Sequence, residues 1–514
     1  MGGFTGWRIL ACSALAALGG CAQLPPRPAL PDVAAIAPAE GGRLDDLSAD
    51  REARHPGASA FRLVTEGTEA FVVLMQSARL AVRSLDVQTY IWHSDLTGNY
   101  LAQQLLESAD RGVRVRLLVD DLDARAKNDG FAALASHPNI DVRMFNPFVT
   151  RSGTLRKAGE GAMNFKRINR RMHNKSWIAD NRVAIVGGRN IGDEYFGAGD
   201  EINFVDLDFA MLGPVVRDAS ASFDKYWNSA SAYPMEALDA DGVSEEALGK
   251  LRKRLEQYVN KAGDSRYAAA LRGDEVVQRM VAGDWPMEWS AKYQFIADDP
   301  AKVTMKRRDA KRTPVGSALL PMVQAAETSI NIISPYFVPG EDVTADLVGA
   351  SGAGKKVSVL TNSLVANDVA GVHGGYSRYR RPLLEGGVQL WELKPRPGGK
   401  SSSSLFGSSG ASLHTKALST DGRTLFVGSY NVDPRSTWLN CEQGVMVEDE
   451  VLTRQLEAIF ATQTAGPHAW QVTLKDGEMG WSDGEESFDS DPKASGWRRF
   501  QAWMTRVLHL DAQL

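Results

Sequence analysis

Apolar positions along the chain follow two patterns. Residues 112–119 (GVRVRLLV), 140–145 and 356–360 read as half-buried or fully buried strands, while 101–109 and 243–258 carry the longer period of helices. Strands alternating with helices predict βαβ units, hence an α/β fold in which a mixed, largely parallel sheet is flanked by helices. The order then recurs. A strand in 80–92, a helix through 101–109, strands at 112–119 and 140–145 and a segment at 172–190 are matched by 329–337, a helix near 346–350, strands at 356–360 and 388–393, and 413–431. A chain of 514 residues exceeds what one core usually supports. The repeat therefore predicts two α/β domains from an internal duplication, at 61–238 and 313–465. A helical connector, 239–312, joins them, and its 243–258 stretch sets Glu ahead of Lys and Arg as on a solvated helix.

The two ends read differently. Arg8 precedes an apolar run at 9–18 that is too short to span a bilayer and closes on Leu18-Gly19-Gly20-Cys21, a secretory signal. That ending resembles the bacterial lipobox, in which the cysteine, here Cys21, becomes the lipidated first residue. Residues 22–60, with Pro25-Pro26-Arg27-Pro28 near their start, are expected to form an extended, proline-rich tether. Of three cysteines, Cys12 lies in the signal and Cys21 is lipidated, so Cys441 has no partner for a disulfide or a cysteine metal site. These features predict a lipid-anchored protein of the bacterial envelope, facing the periplasm. Ala22 after Cys21 leaves both inner and outer membrane open. At the other end lies an extension, 466–514, whose stretch 496–510 mixes Trp497, Phe500 and Trp503 with Arg498, Arg499 and Arg506. It is either a basic amphipathic helix for an anionic membrane surface or a terminal helix docked on its domain. The apolar fraction of 43% and charged fraction of 24% are those of an ordinary globular protein. A net charge of −5 supplies no general basic field, so nucleic acid is not an expected partner.

Candidate chemistry lies in the recurring segments. The first reads His173-Asn174-Lys175, Asp180, then Gly187-Gly188-Arg189-Asn190; the second reads His414-Thr415-Lys416, Asp421, then Gly428-Ser429-Tyr430-Asn431. Every interval is the same in both, and two of only eight histidines occupy equivalent places. In a strand, residues two apart point the same way, so His and Lys project together in each half. The residue types suit phosphodiester chemistry. Lys175 and Lys416 neutralise charge on a phosphoryl group, with donors from Asn190, Asn431 and Ser429. One imidazole attacks phosphorus while the other protonates the leaving alkoxide. No metal and no cofactor is demanded.

These residues resemble the phospholipase D superfamily and, within it, bacterial cardiolipin synthases of the C type. The resemblance is carried by residues 171–197 (RMHNKSWIADNRVAIVGGRNIGDEYFG), 361–380 (TNSLVANDVAGVHGGYSRYR) and 412–442 (SLHTKALSTDGRTLFVGSYNVDPRSTWLNCE). It implies two domains sharing one site at their interface, with His173 as nucleophile and His414 as acid and base. Asp180 and Asp421 complete the catalytic motif and fit the pattern as structural supports. A carboxylate downstream of each motif is expected to orient an imidazole: Glu442 in the second half and Asp208 in the first. Gly188, where the second half has Ser429, removes one hydroxyl donor and makes the two phosphate subsites unequal. The implied activity is transfer of a phosphatidyl group between phospholipids, from phosphatidylglycerol to a second phosphatidylglycerol or to phosphatidylethanolamine. Hydrolysis by water (a phospholipase D, or a nuclease of the same superfamily) and non-catalytic lipid binding are the alternatives. His373 either lines the site or packs in a helix; Arg378, Arg380 and Arg381 contact a headgroup or form a solvated face. The Gly/Ser-rich stretch 397–412 is expected to be either a mobile loop near the entrance or a plain disordered insertion. Oligomeric state is not legible.

Overall fold

The computed structural model describes residues 24–38, 40–124, 128–149, 165–200, 202–263, 265–281, 284–305, 314–367, 369–395 and 412–507. The signal with Cys21, most of the Gly/Ser-rich stretch and the last residues of the C-terminal run lie outside them.

Two sheets carry the fold. The first contains β1 (Ser59–Val64), β2 (Ser84–Thr89), β3 (Arg114–Asp120), β4 (Ile140–Phe145), β5 (Ser176–Ala179), β6 (Val183–Gly187), β7 (Asp208–Leu212), β8 (Ala232–Pro234) and β9 (Glu288–Ser290), in the order β8-β4-β3-β2-β5-β6-β7-β1-β9. The second contains β10 (Tyr293–Ala297), β11 (Ser329–Ile333), β12 (Lys356–Asn362), β13 (Gln389–Leu393), β14 (Ala417–Thr420), β15 (Thr424–Gly428), β16 (Gln443–Glu448), β17 (Ala469–Lys475), β18 (Glu478–Ser482) and β19 (Ser487–Phe488), in the order β10-β16-β15-β14-β11-β12-β13-β17-β18-β19. The stretch β4-β3-β2-β5-β6-β7-β1 matches β13-β12-β11-β14-β15-β16-β10 strand for strand and sense for sense. The duplication is thus visible as seven equivalent strands. Each sheet is mixed, with helices on its faces, but its parallel part is smaller than expected: only β2-β3-β4 and β11-β12-β13 pair in parallel. The motif strands fold back through tight hairpins, which join antiparallel neighbours only.

Those hairpins explain the motif aspartates. Asp180 and Asn181 (φ 50° and 54°), and Asp421 and Gly422 (φ 56° and 62°), are the left-handed central pairs of turns closed by Arg182 N–H to the Ala179 carbonyl at 2.9 Å and Arg423 N–H to the Thr420 carbonyl at 3.0 Å. Such turns favour Asp, Asn and Gly. The Asp180 carboxylate accepts the backbone N–H groups of Val82, Arg83 and Ser84 at 2.8–2.9 Å, and Asp421 accepts those of Glu327, Thr328 and Ser329 at 2.7–3.0 Å. Each ties down the start of the central strand.

Three expected boundaries move. Residues 24–54 are no free tether: Val33 and Ala35 donate backbone N–H to Asn228 Oδ1 and Asp224 Oδ2, and Arg116 donates to the Val33 carbonyl. The helix Arg43–Arg54 follows, its buried Asp45 ion-paired to Arg83 and Arg182. A proline-rich segment can be ordered this way because side chains satisfy the backbone groups that it does not pair. Within the connector, the helix expected at 243–258 runs Glu245–Ala262, with the Ser244 side chain capping its start. The connector then adds β9 to the edge of the first sheet and β10 to the edge of the second, passing the chain between domains. The extension after 465 adds β17, β18 and β19 beside β13, so it belongs to the second domain. A single buried cluster, including Phe209, Met172, Leu413, Ala417, Cys441 and Val445, runs across both sheets and joins the halves. Among the described residues no helix is long and apolar enough to cross a membrane.

Candidate active site

His173 and Lys175 stand just ahead of β5, and His414 and Lys416 just ahead of β14. Each segment is fixed by the other half. His173 donates its N–H to the Cys441 carbonyl at 2.8 Å, and Cys441 returns one to Arg171 at 2.9 Å. On the pseudo-symmetric side His414 donates to the Val205 carbonyl at 2.8 Å, and Val205 to Ser412 at 3.1 Å. Equivalent strand ends add a second hold. Asp120, at the end of β3, accepts the Met172 N–H (2.8 Å) and the Arg171 guanidinium (2.9 Å). Asn362, at the end of β12, accepts the Leu413 N–H (2.9 Å) and donates to its carbonyl (3.0 Å). The residue before each motif histidine is thereby clamped. Burial, opposed by Arg171, raises the Asp120 carboxyl to about 6.

The imidazoles are oriented crosswise. His173 Nδ1 lies 2.9 Å from Glu442 Oε2, and His414 Nδ1 lies 2.6 Å from Asp206 Oδ2. Each half supplies the carboxylate for the histidine of the other. A proton on Nδ1 facing the carboxylate leaves the Nε2 lone pair for chemistry. The expected partner Asp208 is displaced from this role. It pairs with Gly187 across β6 and β7, as Gly444 pairs with Gly428, which makes Asp206 the counterpart of Glu442. Asp208 instead holds the buried Arg189 guanidinium at 2.8 Å.

The Gly188–Ser429 difference bears on these carboxylates rather than on phosphate. Ser429 Oγ donates to Glu442 Oε2 at 2.6 Å, and Ser436 Oγ to Oε1 at 3.0 Å. A Cβ on Gly188 would come within 2.2 Å of Asp206 Oδ1. The shorter aspartate packs directly on a backbone without a side chain; the longer glutamate leaves room for a hydroxyl. Asn190 is likewise engaged in the wall of the site, its Nδ2 donating to Tyr195 Oη at 2.9 Å, whereas Asn431 is held by its backbone N–H to Ser436 Oγ at 3.2 Å and its side-chain Oδ1 is buried without a hydrogen bond. Asp180 and Asp421 lie past the opposite ends of β5 and β14 from the histidines, so they are not brought to the site.

Aromatic rings that the motif does not name complete the walls. Tyr90 meets His173 edge-on at 5.1 Å, with Lys175 Nζ 5.2 Å from its ring. Tyr195 and Phe204 meet His414 at 5.2 and 5.3 Å. Burial lowers His173 to about 4 and His414 to about 3, with the lysines acting in the same direction and the carboxylates against it. Lys175 is also pulled well below the usual lysine range by burial. Burial alone would raise Asp206, but His414, Lys416 and Arg189 bring it to about 2. Two imidazoles kept neutral by burial thus stand beside two charged carboxylates, Glu442 and Asp206, with Lys175 and Lys416 close to both.

His373 and Arg380 are not at this site. They form a buried cluster with Glu392 and Asp491, in which Arg380 reaches Glu392 at 2.8 Å and Asp491 at 2.7 Å. That guanidinium occupies the position a metal would take between His373, Glu392 and Asp491. Among the described residues the other cluster with metal-ligand geometry is His93, Asp95 and Glu194, and neither cluster includes a motif residue.

A family model described as cardiolipin synthase, PLD-like domain, matches the chain twice, at residues 72–227 and 319–463. The chain belongs to this phospholipase D-like family. Each matched stretch contains one His-x-Lys motif and the carboxylate that crosses to the other half. Among phospholipase D-like relatives, cardiolipin synthase C of Escherichia coli is 41% identical over 471 residues, 89% of this chain and 97% of that one. Cardiolipin synthase A of Pseudomonas syringae is 26% identical over 402 residues, 78% of this chain and 67% of that one. The crystal structure of phosphatidylserine synthase from Haemophilus influenzae matches with a TM-score of 0.57 over 88% of this chain and 95% of that chain, at 14% identity, a likeness of fold. The two-motif site is thus set in the phospholipase D-like fold along nearly the whole chain.

Proposed function

We propose that this protein is a phosphatidyltransferase of the cardiolipin synthase type, acting through a phosphohistidine. The observation that carries the reading is the pair of crossed imidazole–carboxylate contacts, His173–Glu442 and His414–Asp206. A phosphodiester seated against Lys175 and Lys416 offsets their charge and restores proton affinity to His414. His173 Nε2 attacks phosphorus, the bond to the leaving oxygen breaks, and that oxygen takes the proton from His414 Nε2. The hydroxyl of a second lipid then gives its proton to neutral His414 and attacks phosphorus as the phosphorus–nitrogen bond breaks. Asn190, Asn431 and Ser429 support this by holding the site walls and Glu442. Donor and acceptor are read as phosphatidylglycerol, with phosphatidylethanolamine as a second acceptor.

The site would face the periplasm of a bacterial envelope, with Cys21 as lipid anchor, on the grounds of the leader sequence. Both points are tested in a host that makes no cardiolipin. The natural sequence should restore cardiolipin and take up labelled palmitate. His173→Ala should restore none, and Cys21→Ala should lose the label. Cardiolipin made by His173→Ala would end the mechanism; phosphatidic acid in place of cardiolipin would make the protein a hydrolase.

A further inference from the structure

The helix Gly496–Val507 turns its bulky apolar residues away from the protein. Its buried residues are Ala502 and Thr505. They pack on the helix Ala370–Tyr376 at Gly374, where a Cβ would come within 2.2 Å of the Ala502 carbonyl oxygen. Small residues thus make the docked face. Trp497, Phe500, Trp503 and Met504 stand outward at 61, 45, 51 and 41% exposure. At 3.6 residues per turn they share one face about 120° wide, opposite the docked one. Their rings form an ordered ridge: Trp497 stacks on Phe500 at 5.6 Å and Phe500 on Trp503 at 5.9 Å. A contiguous exposed aromatic patch marks an interaction surface. The helix carries three arginines and no acidic residue in a chain of net charge −5. Arg499 and Arg506 are exposed beside the ridge.

We propose that this helix seats the protein on an anionic bilayer surface, the aromatic ridge entering the headgroup region and the two arginines meeting lipid phosphates. The charge balance of the helix favours anionic lipid over a second copy of an acidic chain. The N-terminal end of the helix is anchored twice. Asp491, just before the helix, is held by Arg380 at 2.7 Å and by His373 at 3.0 Å. Arg498 turns inward, donating Nε to the Leu364 carbonyl at 3.0 Å and an N–H to the Asn367 carbonyl. The loop it grips follows Asn362, which clamps Leu413 beside His414. The docking helix is therefore joined to the reaction site through one short loop. The proposal deepens the phosphatidyltransferase reading and rests on it for the use of the surface as a source of substrate. Docking itself is measured without turnover.

The test uses the mature chain from position 21 with Cys21→Ser, so that acylation does not dominate. It is sedimented with vesicles of phosphatidylcholine alone and of phosphatidylcholine mixed with phosphatidylglycerol. Binding should prefer the mixed vesicles and weaken with salt. It should fall about tenfold or more in Trp497→Ser/Phe500→Ser/Trp503→Ser, and about fivefold for each of Arg499→Gln and Arg506→Gln. The unfolding temperature and the turnover of detergent-dispersed phosphatidylglycerol should stay at parent values. Equal binding by parent and triple variant overturns the proposal, as does equal binding to neutral and anionic vesicles. A parent dimer that the triple variant breaks, with vesicle binding unchanged, would assign the ridge to a second copy. Ridge-dependent binding without any product from parent or variant would leave the docking standing and remove the transferase reading.

Discussion

A carboxylate on Nδ1 decides which nitrogen of a histidine is left to react, so the identity of that carboxylate has a direct kinetic consequence. Asp206 touches His414; Asp208, two residues on, touches Arg189. Asp206→Asn should leave the fold intact and lower turnover by about 10²- to 10⁴-fold, because an amide no longer enforces the productive tautomer. Asp208→Asn should behave oppositely. It breaks a buried ion pair, costing about 3 kcal/mol of stability, while folded protein retains most of its turnover. Turnover per folded molecule, measured beside urea unfolding, separates the two, and equal kinetic defects would sink the assignment. The sequence carried the histidines and lysines plainly, since identical intervals in two halves admit one reading. It did not separate Asp206 from Asp208. Both alternate onto one face of a strand, and only the pairing of Gly187 with Asp208 and of Gly428 with Gly444 sets the register. Tyr90, Tyr195 and Phe204 lie outside the motif spacing and become visible only when the strands are placed.

At the scale of elements, the hairpin that follows each motif is built by its aspartate. Asp180 and Asp421 supply the left-handed first turn residue and also accept three backbone N–H groups each. Alanine at either position forfeits those bonds and strains the turn, so Asp180→Ala and Asp421→Ala should each cost about 2 kcal/mol or more. Calorimetric Tm should fall in both, and most of kcat should survive in whatever protein remains folded; loss of kcat without loss of Tm would restore a chemical role. The long strands of both halves were legible from their apolar runs. Among the elements missed are β1, β8–β10 and β17–β19, which extend the two sheets toward their edges, and the strap at 24–38, which pairs with no strand. Their order comes from contacts distant in sequence, such as Asn228 with Val33, and local pattern does not record these.

Across the whole molecule, crossed carboxylates make the site a property of the joined halves. Neither half alone orients its own histidine, and the apolar cluster around Met172, Leu413 and Cys441 fixes the two together. Building the site at such an interface buries two imidazoles, which couples stability to pH. In the unfolded chain a histidine titrates near its ordinary value of about 6.5, whereas in the folded protein His173 is lowered to about 4 and His414 to about 3. Between those values the unfolded state binds more protons than the native one, so unfolding free energy rises with pH across the window. Above about 6.5 both imidazoles are neutral in either state and the penalty vanishes; toward 4 it grows to a few kcal/mol per histidine. Asp206, lowered to about 2, loses its own stabilising contribution only below the ordinary aspartate range, so its effect comes later in the same direction. The Tm of the protein should therefore drop steeply between pH 6.5 and pH 4.5, and His173→Asn/His414→Asn should show a shallower slope while being inactive. Parallel Tm profiles for the two proteins would mean that the acid sensitivity arises elsewhere. Phosphodiester binding should narrow the difference as well: a bound anion raises the proton affinity of both imidazoles, and a complex with a non-reacting phosphodiester should hold its Tm to lower pH than the free protein does.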